Sequence, residues 1–323
     1  LFSTYIILFV FGILLTLNFK KYWKAIFITG LVFRLLFIGA IPQLSDDFFR
    51  FTWDGELQKI GESAFNFKPK DYKAHFQGDS LNTQKFRALY EAKTEAFPEG
   101  MNSKGYHSIY PPLSQLVFTI SSFLGTPNQG NLIIMRLFIL LMEVVAFFML
   151  RKLLIAKGRA SWIVGFYWLN PLVVIELTGN LHFEGMAIGF LLLALYFFSQ
   201  QQMNKSGLAL AMAISAKINP IFMLGTAFRH TPQRKFIALV ITTLLVTLIG
   251  FVIVLDTQTL WNFKNSFGLY FTWFEFNTGI FYLFREVGYF LFDIDITSKI
   301  SLIFPSITVL LFIWVCFSKT KYD

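Results

Sequence analysis

Charge is what this sequence most conspicuously lacks. Only 15% of its 323 residues are Asp, Glu, Lys or Arg, while 55% are hydrophobic; a soluble domain carries roughly 25% charged residues. A water-soluble globule is excluded, and disorder, collagen and coiled coil fall with it. Cysteine is nearly absent. Cys316 stands alone in an apolar run, so there is no intrachain disulfide, no cysteine metal site and no reading of the redox compartment. The sequence has no glycine-rich nucleotide-binding motif, no repeat of 20 to 50 residues and no low-complexity stretch. What it has in excess is aromatic surface: 41 Phe, 12 Tyr and 7 Trp exceed what one soluble core hides, so much of it must meet lipid.

The formal net charge is +9, yet residues 42–112 hold nine Lys/Arg and ten Asp/Glu, so the excess lies elsewhere and a nucleic-acid partner loses its warrant. Four short connections are basic and free of acid: Lys20, Lys21 and Lys24; Arg151, Lys152, Lys157 and Arg159; Lys205; Arg229, Arg234 and Lys235. By the positive-inside rule they face the cytoplasm. If they merely bind anionic headgroups, they lie on that same side.

Apolar runs long enough, or nearly so, for a hydrocarbon core of roughly 30 Å occur at about 2–18, 25–41, 131–150, 161–178, 183–199, 236–255, 279–292 and 300–317. All read as helices, because an open strand leaves its backbone unsatisfied in lipid. The fold class is therefore an all-α polytopic membrane protein, a bundle of about 8–10 membrane helices. It forms a single transmembrane domain over 1–323, with an external loop at 42–130 that contains juxtamembrane helices, one of them at 113–125 behind Pro111-Pro112. Residues 207–228 are interrupted by Lys217-Ile-Asn-Pro220 between two basic flanks, which fits a re-entrant broken helix with Lys217 and Asn219 at its outer tip. Alternation of basic loops does not fix the path after 279. Leu1 stands where a start Met would, so residues are expected to be missing at both ends and the helix count is a minimum. A cleavable signal peptide is not expected over 1–18, which lack a basic start and a small-residue cleavage site.

Polar groups gather at the outer ends of these runs. Asp46 and Asp47 follow the second run directly; two adjacent carboxylates at a membrane boundary repel and lose hydration, which raises a pKa toward the range of a general base. The plain alternative is a Ser45 helix cap with acids in the first turn. Asp54 reads as a turn former or a partner for a base. Glu176, Asn180, His182 and Glu184 place three ionisable groups and an amide within ten residues at the outer end of two runs, where charge is costly. A metal reading that joins Asp46 or Asp47 to His182 and Glu184 has suitable ligand types. It is disfavoured, because residues at i and i+2 diverge on a helix. Lys217, isolated among apolar residues, either pairs with Glu176 or Glu184 or meets an anion such as a phosphate, with snorkelling as the plain alternative. His107 and Tyr110 close the hydrophilic segment, where they could line a site, or the prolines after them could serve only to stiffen the re-entry. The stretch 273–279, with Glu275 and Asn277, adds an outward acid and amide within aromatics that suit an interfacial belt.

In order along the chain, Ser45-Asp-Asp-Phe-Phe-Arg-Phe-Thr-Trp-Asp-Gly55, Tyr110-Pro-Pro-Leu-Ser-Gln115, Leu169-Asn-Pro-Leu172 leading to Glu176 and Gly179-Asn-Leu-His-Phe-Glu-Gly185, and Ala216-Lys-Ile-Asn-Pro220 resemble the GT-C superfamily of glycosyltransferases. Within it, the sequence is similar to the polyprenol-phosphate-mannose-dependent mannosyltransferases, over about residues 25–285. The resemblance implies a GT-C-like bundle with a large first outer loop. It also implies transfer of a hexose, mannose first, from a polyprenyl-phosphate donor to a lipid or glycan acceptor, with inversion. The protein would lie in the inner or plasma membrane, among its lipids, with the active site on the extracytoplasmic face of the cell envelope. It implies Asp47 as the catalytic general base, with Phe51 where relatives carry Tyr, and Asp46 as the first acid of a two-acid motif. Lys217, with Arg50, would hold the donor phosphate; His107, Tyr110, Glu176, Asn180, His182 and Glu184 would bind substrate. The later His-Pro-Trp-Tyr motif of such enzymes is absent here. No cofactor is called for if a lysine meets the leaving phosphate, with a divalent metal as the alternative. A transporter or lipid flippase with a buried charged site is the competing reading, and a non-catalytic subunit of an envelope complex a third.

Overall fold

A computed structural model of the chain describes residues 2–71, 101–126, 129–272, 278–296 and 303–317. Residues 72–100 of the hydrophilic segment, residues 273–277 with Glu275 and Asn277, and the basic tail with Lys319 and Lys321 lie outside the described residues.

Among the described residues every regular element is helical. Those of eight residues or more are, in chain order, α1 (Phe2–Asn18), α2 (Trp23–Leu35), α3 (Asp47–Lys59), α4 (Pro112–Leu124), α5 (Gln129–Ala156), α6 (Glu184–Ser199), α7 (Met203–Ala216), α8 (Met223–His230), α9 (Gln233–Val254), α10 (Thr257–Thr272), α11 (Thr278–Phe292) and α12 (Ile303–Phe317). Two of them, α5 and α9, are long and apolar enough to cross a membrane. A third crossing results if Ser161–Trp168 and Val173–Gly179, bent by 62° to one another, count as one. This is fewer than the expected 8–10, and chain geometry gives the reason. The other apolar runs fold into shorter helices, such as the 17 residues of α1 and the 16 of α6. At about 1.5 Å per residue these reach about 24–26 Å, at the short end of what crosses a hydrocarbon core of roughly 30 Å. The break in the 161–178 run is local chemistry: Pro171 offers no N–H, and Asn170 Oδ1 accepts from Leu172 N at 2.9 Å.

The long helix α5 packs against several others. Against one side lies α6, where a Cβ on Gly189 would collide with the backbone carbonyl of Met142, so only glycine allows this approach. Against another lies α2, through Phe27, Phe147, Phe148 and Trp168, whose rings lie 5.1–5.7 Å apart. Outward faces remain apolar: Val252 is 75%, Ile253 77% and Phe290 88% exposed, a surface suited to lipid and costly in water.

The segment around Lys217 is a hairpin. α7 runs beside α9, with Thr243 Oγ1 donating to Gly207 O and Ser215 close to Gly250 at the other end. Lys217 is extended, at φ −153° and ψ 136°, and the one-turn helix Asn219–Phe222 reverses the chain into α8. Ala227 thereby returns to pack with Met203 and Leu239, level with the start of α7.

Candidate functional site

Helix α3 begins at Asp47, and Asp46 is its N-cap residue without a capping side-chain bond. Ser45 Oγ accepts instead from Asp47 N, at 3.3 Å. The two carboxylates diverge. Asp46 is committed to the returning chain: its Oδ2 accepts from Asn102 N at 2.7 Å and its Oδ1 from Asn102 Nδ2 at 2.8 Å. Asp47 accepts no hydrogen bond from the described residues. Burial raises its pKa above the usual carboxylate value; neighbouring His182 and Lys217 pull it down, and Asp46 and Glu184 push it up. Asp47, His182, Glu184 and Lys217 therefore share one end of the bundle, within electrostatic reach of one another.

Lys217 makes a 2.8 Å ion pair with Glu184, both half-exposed, at 35% and 44% of their side-chain surface. Its Nζ also lies 5.8 Å from the centre of the Tyr110 ring. Tyr110, Phe51, Phe118 and Phe183 form a buried aromatic floor with ring centres 4.8–5.6 Å apart. The hydrophobic core thus ends directly beneath the charged group.

Beside it, Glu176 accepts from Tyr5 Oη at 3.2 Å and from Asn180 Nδ2 at 3.1 Å, and lies 3.5 Å from His182 Nδ1. Backbone irregularity brings these residues together. Val173–Gly179 is a π-helical turn, and Leu181, fully buried, adopts a left-handed φ of 61°. Such conformations are rare for a branched side chain and gather at functional sites. An apolar groove of about 840 Å³ opens here, lined by Tyr5, Phe9, Ile13, Leu44 and Leu172, with Glu176 at its head.

Two expected members do not join the group. Arg50, expected at the donor phosphate, is 2% exposed; its Nε lies 2.8 Å from Asp54 Oδ1 and its Nη1 donates to Tyr106 O at 2.7 Å. One helical turn separates Arg50 from Asp54, so the pair closes within α3 and the guanidinium faces inward rather than toward a ligand. Asp54 also accepts from Ser108 Oγ and Gln115 Nε2, which ties α3 to α4. His107 lies among Lys68, Arg50 and Asp71, and its backbone N donates to Ser266 Oγ at 3.1 Å. Burial, with Lys68 and Arg50, lowers its pKa to about 4, so its imidazole is neutral at pH 7.

Three charged residues that no sequence motif includes hold this end in shape. Arg34 and Glu143 form a fully buried pair at 2.8 Å, and Glu143 accepts from Thr178 Oγ1. Arg136 donates to the carbonyls of Thr178, Gly179 and Ile38 at 2.9–3.0 Å. The available signal was an ionisable residue inside an apolar run, which alone marks a special environment. Among the described residues no three His, Cys, Asp or Glu side chains converge as a metal-holding group.

An apolar chain whose described residues form helices, with a carboxylate, an ammonium and an imidazole grouped at one end of the bundle, is suited to proton and anion chemistry beside a membrane. Residues 105–231 match the model of the MptA_B family, described as alpha-(1->6)-mannopyranosyltransferase, N-terminal domain. The match supports a mannosyltransferase of the GT-C type, and hence an enzyme of the glycosyltransferase class. It covers less than half of the chain. Tyr110, Glu176, Asn180, His182, Glu184 and Lys217 fall inside it, and Asp46, Asp47 and Arg50 before it. No curated protein and no solved structure matches the chain.

Proposed function

We propose that the chain is a polytopic membrane mannosyltransferase in the inner or plasma membrane. It transfers mannose from a polyprenyl-phosphate donor to a lipid or glycan acceptor on the extracytoplasmic face, with inversion. Residues 1–323 act as one transmembrane domain, and 42–130 as the external loop over the site. Asp47 takes the proton of the acceptor hydroxyl as its oxygen bonds to C1 of the sugar. The bond from C1 to the phosphate oxygen breaks, and Lys217 offsets the charge that grows on the departing lipid phosphate. Glu184 holds Lys217 until the donor arrives, and the groove beside α1 receives the isoprenoid chain.

One observation carries the reading. Asp47 is a half-buried carboxylate with a raised pKa, accepts no hydrogen bond from the described residues, and has Lys217 and His182 within its field. Those neighbours belong to the segment that matches the mannosyltransferase family. Asp46, by contrast, already accepts two hydrogen bonds and serves to position the loop.

The test is Asp47→Asn, assayed with a polyprenyl-phosphate mannose donor and membrane extract as acceptor. Loss of a positioned general base lowers the rate by about 10²–10⁴-fold with the thermal unfolding profile unchanged. Wild-type turnover in the variant overturns the mechanism.

A further inference from the structure

The other end of the same bundle carries a second built feature. Lys217 directly follows α7; the start of α7, about 20 Å away at 1.5 Å per residue, borders a cavity of about 540 Å³. Its lining includes Gln201, Gln202, Lys205, Arg234, Lys235 and Ala238, three cations and no acid. We infer that this notch binds the phosphodiester of an anionic phospholipid, whose acyl chains lie along the exposed side of α9. The inference rests on the membrane reading of the fold but not on the transfer chemistry.

The notch is held by its backbone. Gln201 adopts a left-handed φ of 59°, and the N–H groups of Gln201 and Gln202 return to Phe198 O and Phe197 O, each at 2.9 Å. This is the bond pattern that closes a helix end with one left-handed residue. Ser206 Oγ donates to Ala194 O at 2.9 Å and fixes the start of α7 against α6. Close approach at Gly207 brings α9 alongside, and Lys235 Nζ donates to Gln201 Oε1 at 2.9 Å. These bonded walls thus present three exposed cations.

Charge and continuity choose the occupant. A zwitterionic headgroup would bring its own ammonium against three cations with no carboxylate to receive it. A net-negative headgroup brings none. Directly along α9 from the notch, Ile237, Ile241, Leu245 and Leu248 are 45–59% exposed. A phosphate seated between Lys205 and Arg234 therefore places two acyl chains on apolar surface. Free phosphate would use the cations but leave that strip bare.

The experiment uses the full chain, purified in neutral detergent and delipidated, with lipid binding read by native mass spectrometry and by titration into nanodiscs. Phosphatidylglycerol, phosphatidylcholine and inorganic phosphate serve as probes. Each cation near an anionic lipid surface is worth roughly fivefold in binding, so the triple variant Lys205→Gln, Arg234→Gln, Lys235→Gln should bind phosphatidylglycerol about 100-fold more weakly. The loop variant Lys157→Gln, Arg159→Gln should bind it as the wild type does. Unchanged thermal unfolding of both variants keeps the comparison valid. Equal binding of phosphatidylcholine, equal loss in the loop variant, or displacement of the lipid by millimolar inorganic phosphate each overturns the assignment. Recovery of the chain in the membrane fraction tests the membrane reading separately, and mannosyl transfer need not change.

Discussion

The pair Arg34 and Glu143 permits a thermodynamic test of what holds the site in place. Both side chains are fully buried. Arg34 Nε and Nη2 both donate to Glu143 Oε1, and Nη1 donates to Gly30 O and Trp168 O, while the guanidinium lies 3.7 Å from the Trp168 ring centre. Arg34→Met leaves Glu143 buried with Thr178 as its hydrogen-bond donor, and Glu143→Met leaves a buried guanidinium facing carbonyls. Removing one partner of such a pair costs about 3–5 kcal/mol. Removing both eliminates the unpaired charge and loses a few hydrogen bonds worth about 1 kcal/mol each, so the double variant should cost only about 1–3 kcal/mol. The cycle then shows a coupling of at least about 3 kcal/mol. Denaturant unfolding of the detergent-purified chain, read by near-UV circular dichroism, supplies the four free energies. Additive losses in the double variant would refute the claim that charge pairing, rather than side-chain volume, organises this interface.

Further outcomes follow from the same geometry. Asp47 must be ionised to act as base, and burial raises its pKa, so the acid limb of the kcat/KM profile should lie above the ordinary Asp value of about 3.9. Lys217 lowers that pKa; Lys217→Ala should move the limb to still higher pH and raise the donor KM more than the acceptor KM, whereas an unmoved limb separates Lys217 from Asp47. Gly189→Leu places side-chain atoms against the Met142 carbonyl, so a lowered melting temperature is expected, and an unchanged one would mean that α5 and α6 do not touch there.

How much of this was legible in the sequence depends on the range over which each feature acts. Asp46-Asp47 after an apolar run, the Asn170-Pro171 break and Lys217 ahead of Asn219-Pro220 are local signals, because a missing N–H or an isolated charge constrains its own neighbourhood. The Lys217 to Glu184 pair was one of the alternatives open from residue types alone. Arg50 finds its partner at short range instead. Its partner Asp54 stands one helical turn away, and an i, i+4 pair within one helix was the simpler solution for two charges in an apolar segment. Arg34 and Glu143 escaped notice because their meeting spans 109 positions, and no local pattern encodes which helices become neighbours. The same holds for Tyr5 and Glu176, 171 positions apart, and for Asn102, whose bonds to Asp46 decide which carboxylate of the adjacent pair remains available. Among the described residues, hydropathy and helix length also part company. Composition measures how apolar a run is, but helix length depends on where the backbone pattern changes: the run breaks at Asn170-Pro171 and resumes as the π-helical turn Val173–Gly179, which brings Glu176, Asn180 and His182 into one group. The π-helical turn at Val173–Gly179 devotes apolar sequence to the placement of ionisable groups, and hydropathy alone records only how apolar that stretch is.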